Sequence, residues 1–206
     1  MALKMTVAFS RNSRVQPLVD GRVKPENIDL EVVTVEGGML FFRNLQYDEF
    51  DVSEMSISET LLAKERGDGS RWDWSALPVF LSRGYFCLGV LVNTTSGIEH
   101  LGDQKGKRIG VPDYHMTAAL WMRCAMKDLY GIEASDNVWY NGRTTDFSHG
   151  GPPGVTHHWL EADQYLDQML DRGELDAAVF SPGTGLAPGH TVSMDRYGGI
   201  PLTGNP

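Results

Sequence analysis

The stretch GKRIGVPDYHMTAALWMR, from Gly106 to Arg123, decides the fold that the sequence predicts. Its apolar run Arg108–Val111 predicts a buried strand, which Pro112 ends because proline has no N–H to donate to a neighbouring strand. The apolar residues that follow recur at helical spacing, and they are Ala118, Leu120, Trp121, Ala125, Met126 and Leu129. The pattern is therefore a strand, a tight polar turn and a helix, which is the unit from which α/β folds are built.

The turn from Asp113 to Thr117 is the first candidate for a functional site. Ligands of open α/β sheets bind beyond the carboxyl ends of strands, and the first turn of a helix adds N–H groups that suit an anion. Thr117 is the expected N-cap of the helix. Histidine exchanges protons near neutral pH, so His115 is a candidate proton donor, with Tyr114 beside it. The alternative is an ordinary connection, because a helix N-terminus binds a ligand only where a cleft faces it.

The composition is that of a globular protein with few features of a nucleic-acid or membrane-surface protein. The chain has 206 residues and a net charge of -9, with 41% hydrophobic and 22% charged residues. An acidic total disfavours nucleic acid and anionic membranes as partners, and no apolar run is long enough to span a membrane. The first residues carry no signal-peptide pattern, and Cys87 and Cys124 lie in apolar contexts, so we expect free thiols and a cytoplasmic location.

Strand and helix patterns alternate along the whole chain, which predicts a mostly parallel sheet covered on both faces. The strands that we predict are 5–9, 28–35, 50–56, 76–80, 85–92, 108–111, 137–140 and 175–180. The helices that we predict are 15–20, 39–45, 57–66, a helix from Thr117, and 161–172. A loop rich in Gly, Pro and His separates the last helix from the strand before it, over residues 141–156. The best boundary is near Asn93, which gives two lobes, 1–92 and 93–190, followed by a segment 191–206.

Five stretches of this chain resemble the 4,5-dihydroxyphthalate decarboxylases, in the order and at the spacing of that family. They are FDVSEMSISETLLAKERGDG, ALPVFLSRGYF, VNTTSGI, GKRIGVPDYHMTAALWMRCAMKDLYGI and LDQMLDRGELDAAVFSPG. The resemblance covers most of residues 5–132 and returns in the last of these stretches. It implies the fold of the type 2 periplasmic binding proteins, in which two α/β lobes are joined by a strand hinge and a small aromatic acid lies between them.

Two features depart from the family. Its members are longer, and their chain returns to the first lobe after the second, whereas this sequence stops at Pro206, about where that return begins. Either the sequence is a fragment or the first lobe is incomplete. The stretch SPGTGLAPGH differs from the Ala-Arg-Ala-Pro type of sequence at this point of the family, and TTDFSHGGPPGVTHH has no counterpart that we can match. These differences leave the exact substrate open.

The resemblance implies a decarboxylase that acts, without a cofactor, on a dihydroxylated aromatic acid such as 4,5-dihydroxyphthalate, giving protocatechuate and carbon dioxide. An ionised hydroxyl para to the departing carboxylate pushes electrons into the ring, whose carbon is then protonated as carbon dioxide leaves. The protein must anchor the retained carboxylate, supply a proton and remove one from the hydroxyl. The alternatives are a non-catalytic solute-binding protein or cytoplasmic sensor of the same fold, and a metal-assisted lyase.

The candidate residues follow from these three tasks. His115 is the expected proton donor, with Tyr114 as the alternative, and Glu59 is the expected base, with Glu54 as the alternative. The residues that we expect to contact the substrate are Arg11, Arg43, Ser56, Ser58, Arg83, Thr117, Trp121 and Arg123. Arg83 is the strongest of them, because it follows a strand start and a serine at the junction of the lobes, where its guanidinium can hold a carboxylate through two parallel hydrogen bonds. Trp121 and Arg123 are two positions apart on a helix and point in different directions, so only one of them faces the site.

The histidine-rich loop suggests a metal site, and we weigh that possibility against its geometry. The residues involved are His149, His157, His158, Asp146 and Glu161. His158 and Glu161 have helical i, i+3 spacing, but a ligand set needs a convergence that a loop does not show. We therefore expect no metal and no cofactor. The expected partner is a small aromatic carboxylate, and a homo-oligomer is compatible with the sequence.

Overall fold

The computed structural model describes residues 2–35, 37–67, 69–82, 89–142 and 151–180 of the 206. Contacts divide the chain into two units, Met1–Gly84 and Tyr85–Pro206. Arg83, Cys87 and the segment 191–206, about which the sequence makes predictions, lie outside the described residues. Cys124 is described, and it is a free thiol.

The first unit is a three-stranded parallel sheet with helices on both faces. Its elements in chain order are β1 (Leu3–Phe9), α1 (Gln16–Val19), β2 (Ile28–Thr34), α2 (Gly37–Tyr47), β3 (Val52–Ser53) and α3 (Ile57–Glu65). Strand β1 lies in the middle, with Leu3 opposite Ile28 on one side and Val7 opposite Val52 on the other.

Alternation along β1 explains why this sheet is covered on both faces. Val7 and Phe9 point to one face and pack with Val15 just before α1, whereas Ala8 points to the other and packs with Leu40 of α2. A strand that is buried on both faces carries a continuous apolar run, and the run MTVAF predicted β1 for this reason.

The second unit is a five-stranded sheet in the order β4-β8-β5-β6-β7. Its elements are β4 (Val90–Val92), β5 (Arg108–Val111), α4 (Thr117–Tyr130), β6 (Val138–Asn141), β7 (Thr156–Trp159), α5 (Leu166–Asp171) and β8 (Ala177–Val179). All pairs are parallel except β4 with β8, which is antiparallel. The prediction of a mostly parallel sheet with helices on both faces is therefore confirmed for the described residues of each unit.

The two faces of the second sheet pack against different helices. Ile109 and Trp139 point to the face that α4 covers with Met122, while Leu166 and Leu170 of α5 cover the other face. Gly110 lies where α5 approaches the sheet, because a Cβ there would stand 2.7 Å from Leu166 and 2.6 Å from Leu175. A larger residue would push these side chains out of the core.

Helix α4 begins at Thr117, but not in the manner that the sequence predicted. The N-cap is Met116, which makes no capping hydrogen bond through its side chain, so Thr117 is the first helical residue rather than the cap. The predicted apolar face is also wrong in part, since Trp121 is 56% exposed and Leu129 is 60% exposed. The buried face instead carries Ala118, Ala119, Met122 and Met126. Alanines fit the close approach of the helix to the sheet, where larger side chains would not.

Three predicted elements differ clearly from the structure, and one strand of the structure was not predicted. Residues 76–80 form no strand, because the N–H of Val79 donates to the carbonyl of Leu77 in a tight turn, 2.7 Å away. The last predicted helix begins at Leu166 rather than 161, since Gln164 accepts from the N–H of Glu161 and holds a local turn there. Strand β7 was not predicted, and β4 lies in the second unit rather than before a boundary at residue 92, because it pairs with β8.

Candidate functional site

The carboxyl ends of β5 and β6 lie next to each other in the second unit. Val111 and Asn141 are paired in register at these ends, and the polar turn follows Val111 directly. Asp113 is 1% exposed, Tyr114 is 3% exposed and Asn141 is 1% exposed, so the turn begins inside the protein. The turn therefore lies at the carboxyl end of a strand, as the position of Pro112 predicts.

Four hydrogen bonds hold the turn in place. The N–H of Tyr114 donates to Oδ1 of Asn141 at 3.1 Å, and the carbonyl of Tyr114 accepts from Nη1 of Arg123 at 2.7 Å. Within the turn, the N–H of His115 donates to Oδ1 of Asp113 at 2.9 Å, and the N–H of Met116 donates to the carbonyl of Asp113 at 3.2 Å. Side chains from β6 and α4 thus fix a backbone that belongs to neither element.

The ring of Tyr114 lies at the centre of an aromatic cluster. Arg123 stands over its face, with Cζ 3.8 Å from the ring centre, and Trp139 meets it edge-on at 5.4 Å. His115 packs against it at 5.3 Å with the two rings nearly perpendicular. Burial raises the pKa of Tyr114 and outweighs the charge of Arg123, so the phenol keeps its proton at neutral pH.

Arg123 is half-buried, and desolvation lowers its pKa, although the charges of Tyr114, Cys124 and Asp113 oppose the shift. The guanidinium nevertheless stays charged, because its ordinary pKa is far above neutrality. Its attraction to the faces of Tyr114 and Trp139 compensates part of the desolvation. The hydrogen-bond partner of Arg123 is therefore the backbone of the turn, which belongs to the same unit.

Strand β7 adds His157 to the same face of the sheet. His157 is paired with Trp139, and strand alternation sends His158 to the opposite face, where it contacts Tyr140 at 5.1 Å. Burial lowers the pKa of His157, the charge of His158 lowers it further, and Asp113 opposes the shift, so the imidazole is neutral at pH 7. Within the described part of the chain, the buried Nε2 of His157 has no hydrogen-bond partner.

The two histidines of β7 bear on the metal hypothesis. Because His157 and His158 point to opposite faces, they cannot bind one ion together. Among the residues that the structure describes, no group of three His, Cys, Asp or Glu side chains that could hold a metal is found. His149 and Asp146 of the same hypothesis lie outside the described residues.

The corresponding edge of the first unit is built from hydroxyls and carboxylates. Oε2 of Glu54 accepts from the N–H of Ser10 at 2.9 Å and also from the hydroxyl of Ser10. Because Ser10 follows β1 and Glu54 follows β3, these hydrogen bonds join the ends of the two strands. The hydroxyls of Ser56 and Ser58 are 3.0 Å apart at the start of α3. Glu59 is fully buried in the first turn of that helix. Three of the predicted residues, Ser56, Ser58 and Glu59, are therefore neighbours.

The predicted arginines do not all join these groups. Arg43 forms a two-pronged ion pair with Glu49 and lies over the ring of Phe50 at 5.0 Å. The hydrogen bond from Arg43 lowers the pKa of Glu49 despite some desolvation, as expected for a stable pair. Arg11 is exposed, and Arg83 lies outside the described residues.

In the second unit the structure brings together four of the predicted residues, Tyr114, His115, Thr117 and Arg123, and leaves Trp121 on the exposed side of α4. Sequence reasoning missed Asn141, and it did not predict that Glu54, a candidate base, pairs with Ser10. A signal for Asn141 was present, because it is a polar residue directly after an apolar strand, as Asp113 is after β5.

Comparison with known proteins places the chain in a family. The chain is 32% identical over 183 residues to a 4,5-dihydroxyphthalate decarboxylase of Pseudomonas putida, a match that covers 86% of this chain and 70% of that protein. The chain belongs to the 4,5-dihydroxyphthalate decarboxylase family. A second member, from Comamonas testosteroni, is 31% identical over 183 residues and is covered to 54% of its length. No protein-family model matches the chain.

Among solved structures, this member of the family is similar to the periplasmic aliphatic sulphonate binding protein SsuA of Escherichia coli. The TM-score is 0.52 at 13% identity, and the match covers 89% of this chain and 55% of SsuA. Identity this low shows the fold alone, and it confirms the predicted α/β fold of solute-binding proteins. The chain thus spans about half the length of SsuA and of the Comamonas protein. None of its described helices has the length and apolar character needed to cross a bilayer.

Proposed function

We propose that this chain carries the decarboxylase activity for which its relatives are named, with 4,5-dihydroxyphthalate or a similar dihydroxylated aromatic diacid as the substrate. The observation that carries the proposal is the 32% identity over 183 residues to a decarboxylase of which the chain covers 70%. The turn at the end of β5 supports it, because it holds a histidine and a tyrosine at the edge where α/β sheets bind ligands.

The chemistry needs three proton transfers, which are removal from the hydroxyl, addition to the ring and return to the hydroxyl, and one anchor. A proton adds to the ring carbon that bears the departing carboxylate while an ionised para hydroxyl supplies the electrons. The carbon–carbon bond then breaks, its electron pair restores the aromatic ring, and carbon dioxide leaves. The hydroxyl finally recovers its proton. A general acid, a general base and a cation for the retained carboxylate therefore suffice.

His115 is the residue that we assign to proton delivery. It is half-buried, it lies in the turn after β5, and its backbone N–H is fixed by Asp113. Tyr114 remains the second candidate, but it is 3% exposed and lies under Arg123, which suits support of His115 better than contact with a substrate.

Glu59 and the remaining arginines complete the proposal. Glu59 is the proposed base, and Ser56 and Ser58 beside it are proposed to bind the hydroxyls of the substrate. Arg83 and Arg11 are the proposed anchors of the retained carboxylate, because Arg43 already pairs with Glu49. Replacing Arg83 with Ala should weaken binding of the aromatic diacid by at least about 1.5 kcal/mol in calorimetry, the scale of one charge-assisted hydrogen bond.

Product analysis tests the activity directly. The purified chain is incubated with 4,5-dihydroxyphthalate, and carbon dioxide release and the mass of the aromatic product are followed with and without a chelator. We expect one carbon dioxide for each protocatechuate, and the same rate in the chelator. Binding without carbon dioxide would favour a solute-binding protein or sensor, and inhibition by the chelator would favour a metal-assisted lyase. A cytoplasmic location and a homo-oligomer also remain proposals, which cell fractionation and light scattering test.

A further inference from the structure

Arg123 is a charged side chain in a place where an apolar one would pack at lower cost. It lies in the second turn of α4, half-buried beside the core residues Tyr114 and Trp139. Taking a guanidinium out of water costs several kcal/mol unless hydrogen bonds and charges compensate, and a methionine of similar length would avoid that cost. The donors of Arg123 must therefore do something that packing alone does not.

The partner of Arg123 shows what that is. Nη1 donates to the carbonyl of Tyr114 at 2.7 Å, nine residues earlier and outside the helix. Long side chains in helices point back towards the N-terminus, so a residue in the second turn covers the backbone that precedes the helix. The contact ties α4 to the turn, and α4 itself gains no hydrogen bond from it.

The peptide between Tyr114 and His115 is held at both of its polar ends. Its carbonyl accepts from Arg123, and its N–H, which belongs to His115, donates to Oδ1 of Asp113 at 2.9 Å. The preceding peptide is held as well, because the N–H of Tyr114 donates to Asn141 at 3.1 Å. The next peptide is held too, because its N–H donates to the carbonyl of Asp113 at 3.2 Å, and holding the peptides on both sides of the His115 Cα fixes the direction in which its side chain leaves the backbone.

A second route from Arg123 to His115 runs through the ring of Tyr114. The guanidinium covers the face of that ring at 3.8 Å, and the imidazole of His115 packs nearly perpendicular to the same ring at 5.3 Å. Without the cation, the phenol ring would lose one of the contacts that hold its plane, and the imidazole would pack against a less fixed ring.

We propose that Arg123 is a positioning residue, which fixes the peptide between Tyr114 and His115 and the ring of Tyr114, and so aims the imidazole of His115. This rests on the proposed function, in which His115 delivers the proton. Sequence reasoning assigned Arg123 to the substrate because arginine suits carboxylates, but the contact with the carbonyl of Tyr114 assigns it to the turn.

The test compares two cations of the same helix. Arg123→Met removes the donors and the charge at similar length, and Lys127→Met makes the matched change one turn later, where the lysine is exposed and pairs with Glu133 at 3.0 Å. Steady-state kinetics on 4,5-dihydroxyphthalate should show a fall in kcat of at least about tenfold for Arg123→Met, with KM within about threefold. Arg123→Lys should recover part of the loss, because an ammonium reaches the carbonyl but does not stack as a plane. Lys127→Met should match the parent.

Three kinetic results would overturn the proposal. A rise in KM with kcat unchanged would make Arg123 an anchor of the substrate, and unchanged kinetics would leave it no role in the reaction. An equal loss in Lys127→Met would show that any lost charge on α4 has the same effect.

A readout that needs no activity separates this proposal from the proposed function. Heteronuclear NMR follows the imidazole signals of His115, which are assigned by their loss in His115→Gln. They should shift or broaden in Arg123→Met and stay in place in Lys127→Met, and unchanged signals in both would refute the positioning role. If the parent protein released no carbon dioxide, the proposed function would fail while this measurement still decided the role of Arg123. If Arg123→Met does not fold, the same measurements on Arg123→Lys decide it.

Discussion

The carboxyl edges of the two sheets differ in their chemistry. The edge of the first unit consists of hydroxyls and carboxylates, with Glu54 accepting twice from Ser10 and Glu59 buried beside two serines. The edge of the second unit is aromatic and cationic, with Tyr114 beneath Arg123. The difference predicts different defects, since variants of the first edge should impair proton removal and variants of the second should impair proton delivery.

The helices that follow these edges, α4 and α3, differ in the kind of residue that they bury. Helix α4 buries Ala119 and Met122 and leaves its charges outside, apart from Arg123. Helix α3 does the reverse, because it buries Ser58 and Glu59 and exposes Ile57 and Leu61, which are 45% and 61% exposed. A helix that buries polar residues takes its position from the polar site beside it rather than from the packing of an apolar stripe.

The largest effect should come from the second edge. His115→Gln removes the proposed proton donor and keeps a side chain that can form hydrogen bonds, so turnover should fall about a hundredfold with little change in substrate affinity. The measurement sets kcat beside the dissociation constant from calorimetry. A loss below about threefold, against that expected size, would rule out His115 and move the assignment to Tyr114.

The next effect should come from the first edge. Glu59→Gln removes the proposed base, and kcat should fall about tenfold or more at neutral pH. The loss should shrink as the pH rises, because a phenolic hydroxyl with a pKa near about 10 ionises without help in alkaline solution. The pH profile of kcat is therefore the measurement, with His115→Gln as the comparison. A loss that is constant up to alkaline pH would contradict a role in proton removal.

A third prediction separates stability from catalysis at the opposite end of β5. Arg108 makes a two-pronged ion pair with Asp176, whose carboxylate also accepts from the N–H of Arg108 at 2.8 Å. Because the side chain of Arg108 is 42% exposed, solvent screens the pair, and Arg108→Met should lower the free energy of unfolding by about 1–2 kcal/mol. Turnover should stay at the parent level, which denaturant melts and kinetics on the same samples measure.

The pKa of Asp176 predicts how the stability loss in Arg108→Met depends on pH. Burial alone would raise the pKa of Asp176, but the hydrogen bonds and the charge of Arg108 lower it below its ordinary value. The pair therefore stabilises the fold above the unfolded pKa of about 4, and its contribution is lost as the pH falls through the folded pKa. The gap between the parent and Arg108→Met should close in acid, and a gap that widens there would contradict the ion pair as its source.

The sequence predicted those elements whose own pattern is strong. Strand β5 and the start of α4 were found because a buried apolar run, a proline and a helical repeat follow one another. Strand β7 was missed because Thr156–Trp159 is an exposed edge strand without an apolar run, so its pairing with β6 is the main force that forms it. Local hydrogen bonds around Glu161 likewise shortened α5.

The candidate site was predictable by position but not by role. The rule that ligands bind at the carboxyl ends of strands selected the turn at Asp113 and the start of α3 correctly as polar edges. It could not show that Arg123 reaches back to Tyr114, since that depends on how α4 packs on Trp139. Nor could it show that Arg43 is engaged by Glu49, six residues away across the end of α2.

The smallest effects should come from the outer faces of α3 and α4. Leu61 is 61% exposed and Trp121 is 56% exposed, so replacing either with Ser should change the free energy of unfolding by less than about 0.5 kcal/mol. Trp121 was also predicted to contact the substrate, and it lies about 200° around the helix from Arg123, on the side away from the turn. Its removal should therefore leave the affinity for 4,5-dihydroxyphthalate within about twofold, whereas a stacked ring would add about 0.5–1.5 kcal/mol. Calorimetry on Trp121→Ser and Leu61→Ser decides between these outcomes, and a loss of affinity in Trp121→Ser alone would place the tryptophan in the substrate site.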